Sequence, residues 1–428
     1  MSSLQFVPSL QPVHEPPLRQ PARAQAAAAP GEQGALDEAP GGLDSFGRNV
    51  ELWFLDDARI HGGGQRFALK LAMAASMRSP RIRCVMVCPD SSELARHSRS
   101  AGFEVRHADF PSVAPPSRRA PAAIVRLRRV LSEAPRSTIF VANSPRTQAY
   151  AAAARLLSPY MQTIVNVAHE QETASRRVAL ATLRHSGPVV AIGANTAGAY
   201  ERALPGVPVR RINNVLDESE LDSASHARAR AVRLAVLARM IPEKGILELL
   251  DEAAACSELW STLAIGAPPQ DHDYEAQVKD RIEKLGLAHR ARLCGGIADV
   301  ADFIDAADVL VVPSTGCEGQ PTTIIEALAR GLPVLVREPI LSEDFGGLPV
   351  QSYHDASDFG TALRALRPQS ASVEDMRLRF GAQQAIDGLL VAAAATALPR
   401  QRALTSLPKP RMLAEGAATE PTLTSHPG

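Results

Sequence analysis

The chain lacks an excess of either charge, which limits the partners it can attract. Among its 428 residues, 46 Lys and Arg balance 46 Asp and Glu, so the formal net charge at pH 7 is zero. A protein without a dominant sign creates no general field toward nucleic acid or an anionic membrane. We therefore expect no nucleic-acid partner, and any membrane contact must depend on a local patch of charge.

Long apolar runs and paired cysteines are also missing. The apolar stretch 389–398 is too short and too rich in Ala to span a bilayer, and no basic segment followed by an apolar one opens the chain. Of the five cysteines, Cys84 and Cys88 lie on one predicted strand. At the rise of a strand they are about 13 Å apart, which is beyond the reach of a disulfide. These observations predict a cytoplasmic protein with reduced thiols and no secretory leader.

The order of apolar and polar segments predicts two α/β domains. Hydrophobic residues make up 45% of the chain, which is enough for more than one core. Predicted strands and helices alternate through residues 48–222 and again through 223–372, as in two doubly wound parallel sheets that face a cleft. A polar linker at 217–230 joins them. The remaining segments are two tails that are predicted to be disordered and one predicted helix: 1–47, 399–428 and 373–398, respectively.

The segment 307–336 contains the parts of a phosphate site. Val309–Val312 is apolar without alternation, as expected of a parallel strand that is covered on both faces. A polar turn follows, and a helix is predicted from Pro321 to Arg330. The start of such a helix offers unpaired N–H groups to an anion, and Gly319 lets a ligand approach the backbone. The residues predicted to present these N–H groups are Thr322, Thr323 and Ile324.

Two carboxylates flank this predicted anion site. Glu318 lies on the turn and Glu326 lies one turn into the helix. They would repel a phosphate unless they face another group, and sugar hydroxyls are the natural partner. Taken alone, two such Glu residues also occur on an ordinary solvated helix face, so the surrounding residues must decide.

Those surrounding residues resemble the E-x7-E signature of retaining glycosyltransferases of the GT-B fold, family 4. In that family a strand ending in Pro-Ser is followed by Glu-Gly, then Pro, Glu-Ala-Leu-Ala and Gly-Leu-Pro-Val, as in this chain. The resemblance implies that Glu318 lies at the donor sugar and that Glu326 binds the nucleotide ribose. Many members carry Phe or Leu where this chain has Gln320, a change expected to alter the sugar pocket and leave the phosphate site intact. The fold also implies that the helix 373–398 crosses back onto the first domain.

A second motif lies upstream, at the end of a predicted strand that begins at Val232. Arg239 and Lys244, five residues apart, can clamp a diphosphate, Arg through its planar fork and Lys as a point charge. The alternative is a solvated turn with ordinary surface charges. The family resemblance places an R-x4-K pair here that stabilises the leaving nucleoside diphosphate. We also assign Gly296 and Ile297, after the predicted strand near residue 291, to the donor site.

The amino-terminal half offers weaker signals. After the apolar strand at 50–55, a glycine loop precedes a helix, but the dinucleotide pattern G-x-G-x-x-G fails because Phe67 occupies the third glycine position. The family carries a Gly-Gly loop here that touches donor phosphate or acceptor, which implies this role for Gly63 and Gly64, although a tight turn explains them equally well. His169 ends another predicted strand. A lone His is more often structural, but the resemblance implies that it lines the donor sugar.

No metal or cofactor is expected. Asp271 and Asp273 form an Asp-x-Asp sequence, which we assign to helix capping because a helix is predicted to begin there. Cys317 has no neighbouring base and is interpreted as a small turn residue instead of a nucleophile. Two cations at the diphosphate in place of acidic ligands predict metal-independent chemistry.

The segment 117–131 is the local patch through which the chain would contact a membrane. Five arginines alternate there with apolar residues on a predicted helix, and the alternative is a core-packing helix with solvated arginines. The arginines are Arg118, Arg119, Arg126, Arg128 and Arg129.

Together the sequence predicts a retaining glycosyltransferase that moves a sugar from a UDP- or GDP-linked donor to a glycan, lipid or small-molecule acceptor, in the cytoplasm or at the inner face of the membrane. A nucleotide-sugar epimerase or hydrolase on the same fold, and a binding protein without turnover, remain the alternatives.

Overall fold

The computed structural model describes two parallel sheets with helices on their faces. It covers residues 49–57, 62–112, 117–157, 163–171, 176–216, 221, 232–316, 318–338, 340–366 and 371–405, with side chains described up to residue 395. Several predicted features lie outside these residues: the tail 1–47, most of the tail 399–428, the linker 217–230 apart from Leu221, and Cys317.

Seven parallel strands form the first sheet in the described part of the chain. They are β1 (Val50–Leu55), β2 (Ile82–Cys88), β3 (Glu104–His107), β4 (Thr138–Ala142), β5 (Ile164–Ala168), β6 (Val189–Ile192) and β7 (Val209–Ile212). Their spatial order is β3-β2-β1-β4-β5-β6-β7. The helices between them are α1 (Gly63–Arg78), α2 (Glu93–Ser100), α3 (Ala120–Ser132), α4 (Pro145–Leu156), α5 (Arg177–Ser186) and α6 (Ala194–Ala203).

The central strands of this sheet are apolar because both of their faces are covered. All six residues of β1 are buried, and so are all five of β4. On one face Phe67 and Leu71 of α1 pack against β1, and on the other Leu127 of α3 does so. This double coverage explains why the strands lack the alternating pattern of a half-exposed sheet.

Six parallel strands form the second sheet among the described residues. They are β8 (Val232–Leu237), β9 (Trp260–Gly266), β10 (Ala291–Gly295), β11 (Val309–Val312), β12 (Val334–Arg337) and β13 (Val350–Tyr353), in the order β10-β9-β8-β11-β12-β13. Its helices are α7 (Ile246–Ala255), α8 (His272–Lys284), α9 (Val300–Asp305), α10 (Thr322–Ala329) and α11 (Ala356–Ala365). Short 3-10 turns lie at Pro242–Lys244, Ser257–Leu259 and Glu343–Phe345.

Each sheet reverses its strand order once, next to its first strand. In the first sheet β1 pairs with both β2 and β4, and in the second β8 pairs with both β9 and β11, always in parallel. This is the doubly wound arrangement of Rossmann-like domains, in which ligands bind where the order reverses. The predicted α/β fold class of two such domains is confirmed.

Two helices follow the second sheet. Helix α12 (Val373–Phe380) packs on the second domain through Met376 and Phe380. Helix α13 (Ala382–Thr405) instead packs on the first domain, where Ile386 and Leu389 join the core formed by α1 and β1. Its position there is reinforced by Arg78 of α1, whose guanidinium lies 2.8 Å from the Asp387 carboxylate. Helix α13 therefore returns to the domain that contains β1.

The described cysteines form no disulfide, in agreement with the sequence prediction for Cys84 and Cys88. Burial raises the pKa of each of these two thiols to about 11. They are therefore inert core residues of β2 instead of nucleophiles.

Candidate active site

The side chains at the two reversal points project from the carboxyl ends of the strands. In the first sheet Asp56 follows β1 and Asn143 follows β4. In the second sheet Arg239 follows β8, and Ser314 follows β11 with the turn that carries Glu318. The strand order therefore brings together residues that are far apart in the sequence.

Lys244 and Glu318 form an ion pair at the second reversal point. Lys244 Nζ lies 2.5 Å from Glu318 Oε1, which also accepts a hydrogen bond from the Ser314 hydroxyl. The turn that carries Lys244 packs tightly against the end of β11: a Cβ at Gly245, whose φ is +65°, would lie 2.0 Å from the Pro313 carbonyl oxygen. Only glycine fits there, so Gly245 fixes the position of the lysine.

Arg239 differs from Lys244 because its guanidinium makes no hydrogen bond or ion pair with the residues that the structure describes. It lies just beyond β8 and is exposed. Its guanidinium is therefore available to an anion. Lys244, in contrast, is paired with Glu318, so an anion that binds there must compete with this carboxylate for the ammonium group.

The start of α10 presents two backbone donors beside this ion pair. The cap residue is Pro321, which provides no side-chain hydrogen bond, so the helix begins one residue later than predicted. The N–H groups of Thr322 and Thr323 make no hydrogen bond to other described residues, whereas that of Ile324 donates to the Pro321 carbonyl at 3.3 Å. Two of the three predicted N–H donors are thus open to an anion.

Glu326 is buried and is paired with cations of the other domain. Its Oε1 lies 2.5 Å from Arg66 Nη2 and 4.0 Å from Lys70 Nζ, both on α1. The sequence prediction included Glu326 but neither cation. Arg66 and Lys70 lie one helical turn apart on α1, after the glycine loop. The sequence shows this spacing, but only the position of Glu326 in the folded protein shows that the two cations face a carboxylate.

The two domains touch at the turn that carries Glu318. A Cβ at Gly319 would lie 2.2 Å from the carbonyl oxygen of His169, and the Gln171 side chain donates to the Glu318 carbonyl at 2.6 Å. A Cβ at Gly63 would lie 3.7 Å from the Thr322 hydroxyl. The predicted glycine loop, helix start and acidic turn are therefore assembled in one place.

His169 is held by a buried network of the first domain. Its Nε2 lies 2.9 Å from Asn143 Oδ1, and its ring meets that of Phe67 edge to face with centroids 5.3 Å apart. Burial lowers the pKa of the His169 imidazole from 6.5 to about 4. The ring is neutral at physiological pH, which suits hydrogen bonding to a hydroxyl better than pairing with a phosphate.

Gln320 is placed differently from the expectation that it shapes the sugar pocket. Its side chain is buried and bridges the segment after β7: Oε1 accepts from the Asn214 backbone at 2.7 Å, and Nε2 donates to Asn213 Oδ1 at 3.0 Å. The Asn214 side-chain amide in turn donates a hydrogen bond of 2.6 Å to the Gln320 carbonyl. The amide thus ties the acidic turn to the segment that leads toward the interdomain connection.

Gly296 and Ile297 are not brought into this cluster. They follow β10 at the edge of the second sheet, where the Ile297 side chain packs closely over Gly266. Their predicted donor contacts would have to be made by a part of the ligand that extends along the carboxyl edge of the sheet.

Asp271 has the capping role that its position predicts. Its carboxylate accepts the N–H of Tyr274 at 3.0 Å at the start of α8. Among the described residues, no group of three or more His, Cys, Asp or Glu side chains is arranged to hold a metal ion.

The basic segment at the start of and along α3 packs its apolar residues in the core and leaves its arginines exposed, as both interpretations of the sequence expect. Leu127 and Leu131 are buried, and Ala123 packs beside them in the core of the first domain. The five predicted arginines are exposed, and none makes an ion pair with a described residue; Val125, also exposed, lies among them. No helix in the described ranges combines the length and apolarity needed to cross a membrane.

Two Rossmann-like domains that meet at the carboxyl ends of their parallel strands define the GT-B fold. The crystal structure of Anabaena Alr3699/HepE in complex with UDP-glucose has this fold and superposes with a TM-score of 0.65 at 18% identity, covering 82% of this chain and all of that one. The apo form of the lipopolysaccharide outer core galactosyltransferase WaaB gives a TM-score of 0.63 at 18% identity, covering 82% of this chain and 100% of that one. Such low identities establish the fold alone.

The sequence comparisons point to the second domain. Residues 231–366 match the family model described as Glycosyl transferases group 1. The lipopolysaccharide core biosynthesis mannosyltransferase LpsB of Rhizobium meliloti is 26% identical over 213 residues, which are 47% of this chain and 60% of that protein. TuaC of Bacillus subtilis is 36% identical over 120 residues, or 27% of this chain and 26% of its own length. The chain thus spans less than two thirds of either relative.

Proposed function

We propose that this protein is a retaining glycosyltransferase that moves a sugar from a UDP- or GDP-linked donor to an acceptor hydroxyl without a metal ion. The observation that carries the proposal is the convergence of Arg239, Lys244, Glu318 and the start of α10 at the reversal point of the second sheet. Ligands of doubly wound sheets bind at such points. The family match of residues 231–366 and the activity in the name of LpsB support the same class.

The leaving diphosphate would lie between the cations and the helix start. As the bond from the anomeric carbon to the phosphate oxygen breaks, negative charge develops on the diphosphate. Arg239, Lys244 and the N–H groups of Thr322 and Thr323 are placed to stabilise that charge, and fixed donors of this kind contribute strongly to catalysis. Lys244 would then exchange part of its contact with Glu318 for a phosphate oxygen.

Glu318 would position the donor sugar, and Glu326 the ribose. Gly319, the neighbour of Glu318, packs against the backbone carbonyl of His169, so the sugar pocket would be formed by both domains. The acceptor oxygen would attack the anomeric carbon on the face from which the diphosphate departs, which retains configuration. Its proton would pass to a diphosphate oxygen on that face. For the ribose to reach Glu326, Arg66 would have to give up part of its contact with that carboxylate.

A panel of nucleotide sugars tests the proposal. Binding by a ligand at a hundred times its dissociation constant stabilises a protein by about 2.7 kcal/mol, a shift that thermal unfolding detects readily. We expect one UDP- or GDP-sugar to stabilise the protein and to yield a glycosylated product with the donor's anomeric configuration. An epimerised sugar or free sugar would instead indicate the epimerase or hydrolase alternative, and stabilisation without turnover would indicate a binding protein.

We further propose a glycan or lipid-linked acceptor, because LpsB and WaaB are named for lipopolysaccharide synthesis. The exposed arginines of α3 would then contact anionic lipid headgroups, each contributing about 1 kcal/mol near the surface. Sedimentation with anionic and with neutral vesicles tests this, since only anionic vesicles should retain the protein at low salt. Equal sedimentation with both would contradict it.

A further inference from the structure

The orientation of the Asn143 side chain follows from its partners. Asn143 is buried, and its Nδ2 lies 2.7 Å from Asp56 Oδ2 and 2.8 Å from the Gly64 carbonyl oxygen. A backbone carbonyl can only accept a hydrogen bond, so the Asn143 atom facing it must be the NH₂ group. The orientation of the amide therefore follows from the chemistry of its two acceptors.

That orientation decides which ring nitrogen of His169 carries a proton. With its NH₂ group directed at Asp56 and Gly64, Asn143 turns its oxygen to His169 Nε2 at 2.9 Å. An amide oxygen has no proton to donate, so Nε2 must donate. Because burial keeps the imidazole neutral, the second nitrogen, Nδ1, is left without a proton and with a free lone pair.

The anchor of this arrangement is the Asp56 carboxylate. Asp56 is fully buried, and it also accepts from Gln65 Nε2 at 3.0 and 3.2 Å, while Gln65 Oε1 accepts from the Gly62 backbone at 3.1 Å. The same network therefore fixes the glycine loop at the start of α1. Among the described residues, nothing hydrogen-bonds to His169 Nδ1.

We propose that Asn143, anchored by Asp56, is a positioning residue that holds His169 as the Nε2–H tautomer, so that Nδ1 accepts a hydrogen bond from a hydroxyl of the bound donor sugar. A ring in this state attracts a hydrogen-bond donor and offers nothing to an anion, so His169 selects sugar hydroxyls over phosphate oxygens. The hydroxyl contact rests on the proposed function. The tautomer does not, because it follows from contacts within the protein alone.

Nitrogen-15 NMR of the histidine rings in the full-length protein tests the tautomer directly. The signal of His169 is assigned by its disappearance in His169→Gln. We expect a protonated Nε2 and an unprotonated Nδ1 between pH 6 and pH 8, around the ordinary titration of histidine. A protonated Nδ1 in the unmodified protein would overturn the inference, whether or not any variant folds and whether or not the protein transfers sugar.

Variants separate positioning from packing. Asn143→Ala removes the acceptor at Nε2 without adding a charge beside Asp56, so the neutral His169 ring should no longer be held as one tautomer and Nδ1 should become partly protonated. The matched control is Asn166→Ala on β5, since this equally buried amide contacts Ser186 and Pro188 and not His169. An unchanged His169 tautomer in Asn143→Ala, with its fold intact by circular dichroism, would overturn the positioning role.

The hydroxyl contact is tested with UDP-glucose and GDP-mannose against UDP and GDP. A nucleotide sugar that binds should shift the Nδ1 signal, and its bare nucleotide should not. Weakening of the hydrogen bond from the sugar hydroxyl to Nδ1 in Asn143→Ala should lower kcat/KM by roughly tenfold. A sugar that is transferred without any change at Nδ1 would refute the contact while leaving the transferase function in place.

Discussion

The two faces of the cleft differ in the kind of polar group that they carry and in how far those groups are buried. On the second domain the site is built from ion pairs near solvent: the side chains of Lys244 and Glu318 are 17% and 18% exposed. On the first domain it is built from buried, hydrogen-bonded groups, with Asp56 and Asn143 almost fully enclosed and His169 neutral. Ion pairs that are partly open to solvent exchange partners at less cost than buried groups do, whereas buried hydrogen-bond networks hold one geometry.

This difference matches the two tasks that the proposed reaction sets. A leaving diphosphate develops charge during the reaction and needs cations that can exchange partners. A donor sugar keeps the same hydroxyls throughout and needs fixed hydrogen-bond partners. If the comparison is right, substitutions on the charged face should act mainly on the transition state and the nucleotide, and those on the seam between the domains should act on the sugar.

The largest effect is expected from removing the cations. Replacing Arg239 or Lys244 by Ala should lower turnover by roughly a hundredfold or more, because each would stabilise charge that appears in the transition state. Steady-state kinetics with the donor found in the panel would measure this. The fold should survive in both variants, as judged by far-ultraviolet circular dichroism.

A suitable control is Lys284→Ala. Lys284 lies on α8 of the same domain and pairs with Asp280 in solvent, with 65% of its side chain exposed. It should leave turnover unchanged, because such surface pairs contribute little. If the Arg239 and Lys244 variants were as active as this control, the diphosphate would have to lie elsewhere.

The second prediction separates the two carboxylates. Glu326→Gln should weaken binding of the bare nucleoside diphosphate by about 1.5 to 3 kcal/mol, the value of a hydrogen bond to a charged group. Glu318→Gln should not weaken it, because the substitution releases Lys244 to face the phosphates. It should nevertheless suppress transfer, since its lost contact exists only with the sugar.

Titration calorimetry with UDP or GDP and a product assay cover both halves of this prediction. Each variant serves as the control for the other, because both remove one negative charge from the same site. Equal weakening of nucleotide binding in the two variants would show that the division of roles is wrong.

The third prediction concerns the seam between the faces. A methyl group at Gly319 would meet the His169 carbonyl oxygen at 2.2 Å, so Gly319→Ala must push the two domains apart locally. Overpacking of this kind costs about 1 to 3 kcal/mol, and if that cost falls on the closed state it corresponds to roughly a 5- to 150-fold loss of transfer. Binding of the bare nucleotide should change much less, because its proposed contacts to Arg239 and Lys244 lie on one domain.

Gly316→Ala is the matched control on the same turn. Its added Cβ would lie 3.2 Å from the Cβ of Glu243, a contact that a shift of a few tenths of an ångström relieves, in contrast to the 2.2 Å contact at Gly319. We expect a small effect on transfer from this variant. A Gly319→Ala protein that transfers sugar as well as Gly316→Ala would show that the closed contact is not needed in the reaction.

The fold was predictable because its signals are local. Apolar runs without alternation predict covered parallel strands, and the structure has two of them with the predicted bounds: Val50–Leu55, whose one charged residue is Glu51, and Val309–Val312. The predicted start of α10 was wrong by one residue, since Pro321 caps the helix instead of opening it. Element boundaries depend on the exact hydrogen bonds of the last turn, which apolar periodicity does not encode.

The site was predictable only where a motif marks it. The turn with Glu318 and the pair Arg239 and Lys244 were found through their spacing, and their roles remain predictions. Two partners were missed, at separations of hundreds or tens of residues. Arg66 pairs with Glu326 across the cleft, and Asn143 holds His169 within the first domain. No local pattern links such residues, because the reversal of strand order brings them together only in the folded chain.

The smallest expected effect is that of removing metal ions. In the proposed mechanism Arg239 and Lys244 take the role that a divalent cation has at other diphosphate sites, so turnover should persist in excess chelator at the rate measured without it. The control is the Lys244→Ala variant with and without added magnesium or manganese: if a metal can substitute for the missing charge, activity returns only in the variant. Loss of activity in the unmodified protein on chelation, restored by either metal, would mean that a metal and not Lys244 neutralises the leaving group. The charged face of the cleft would then have to be sought at other carboxylates, beginning with Asp273, because Asp271 already caps α8.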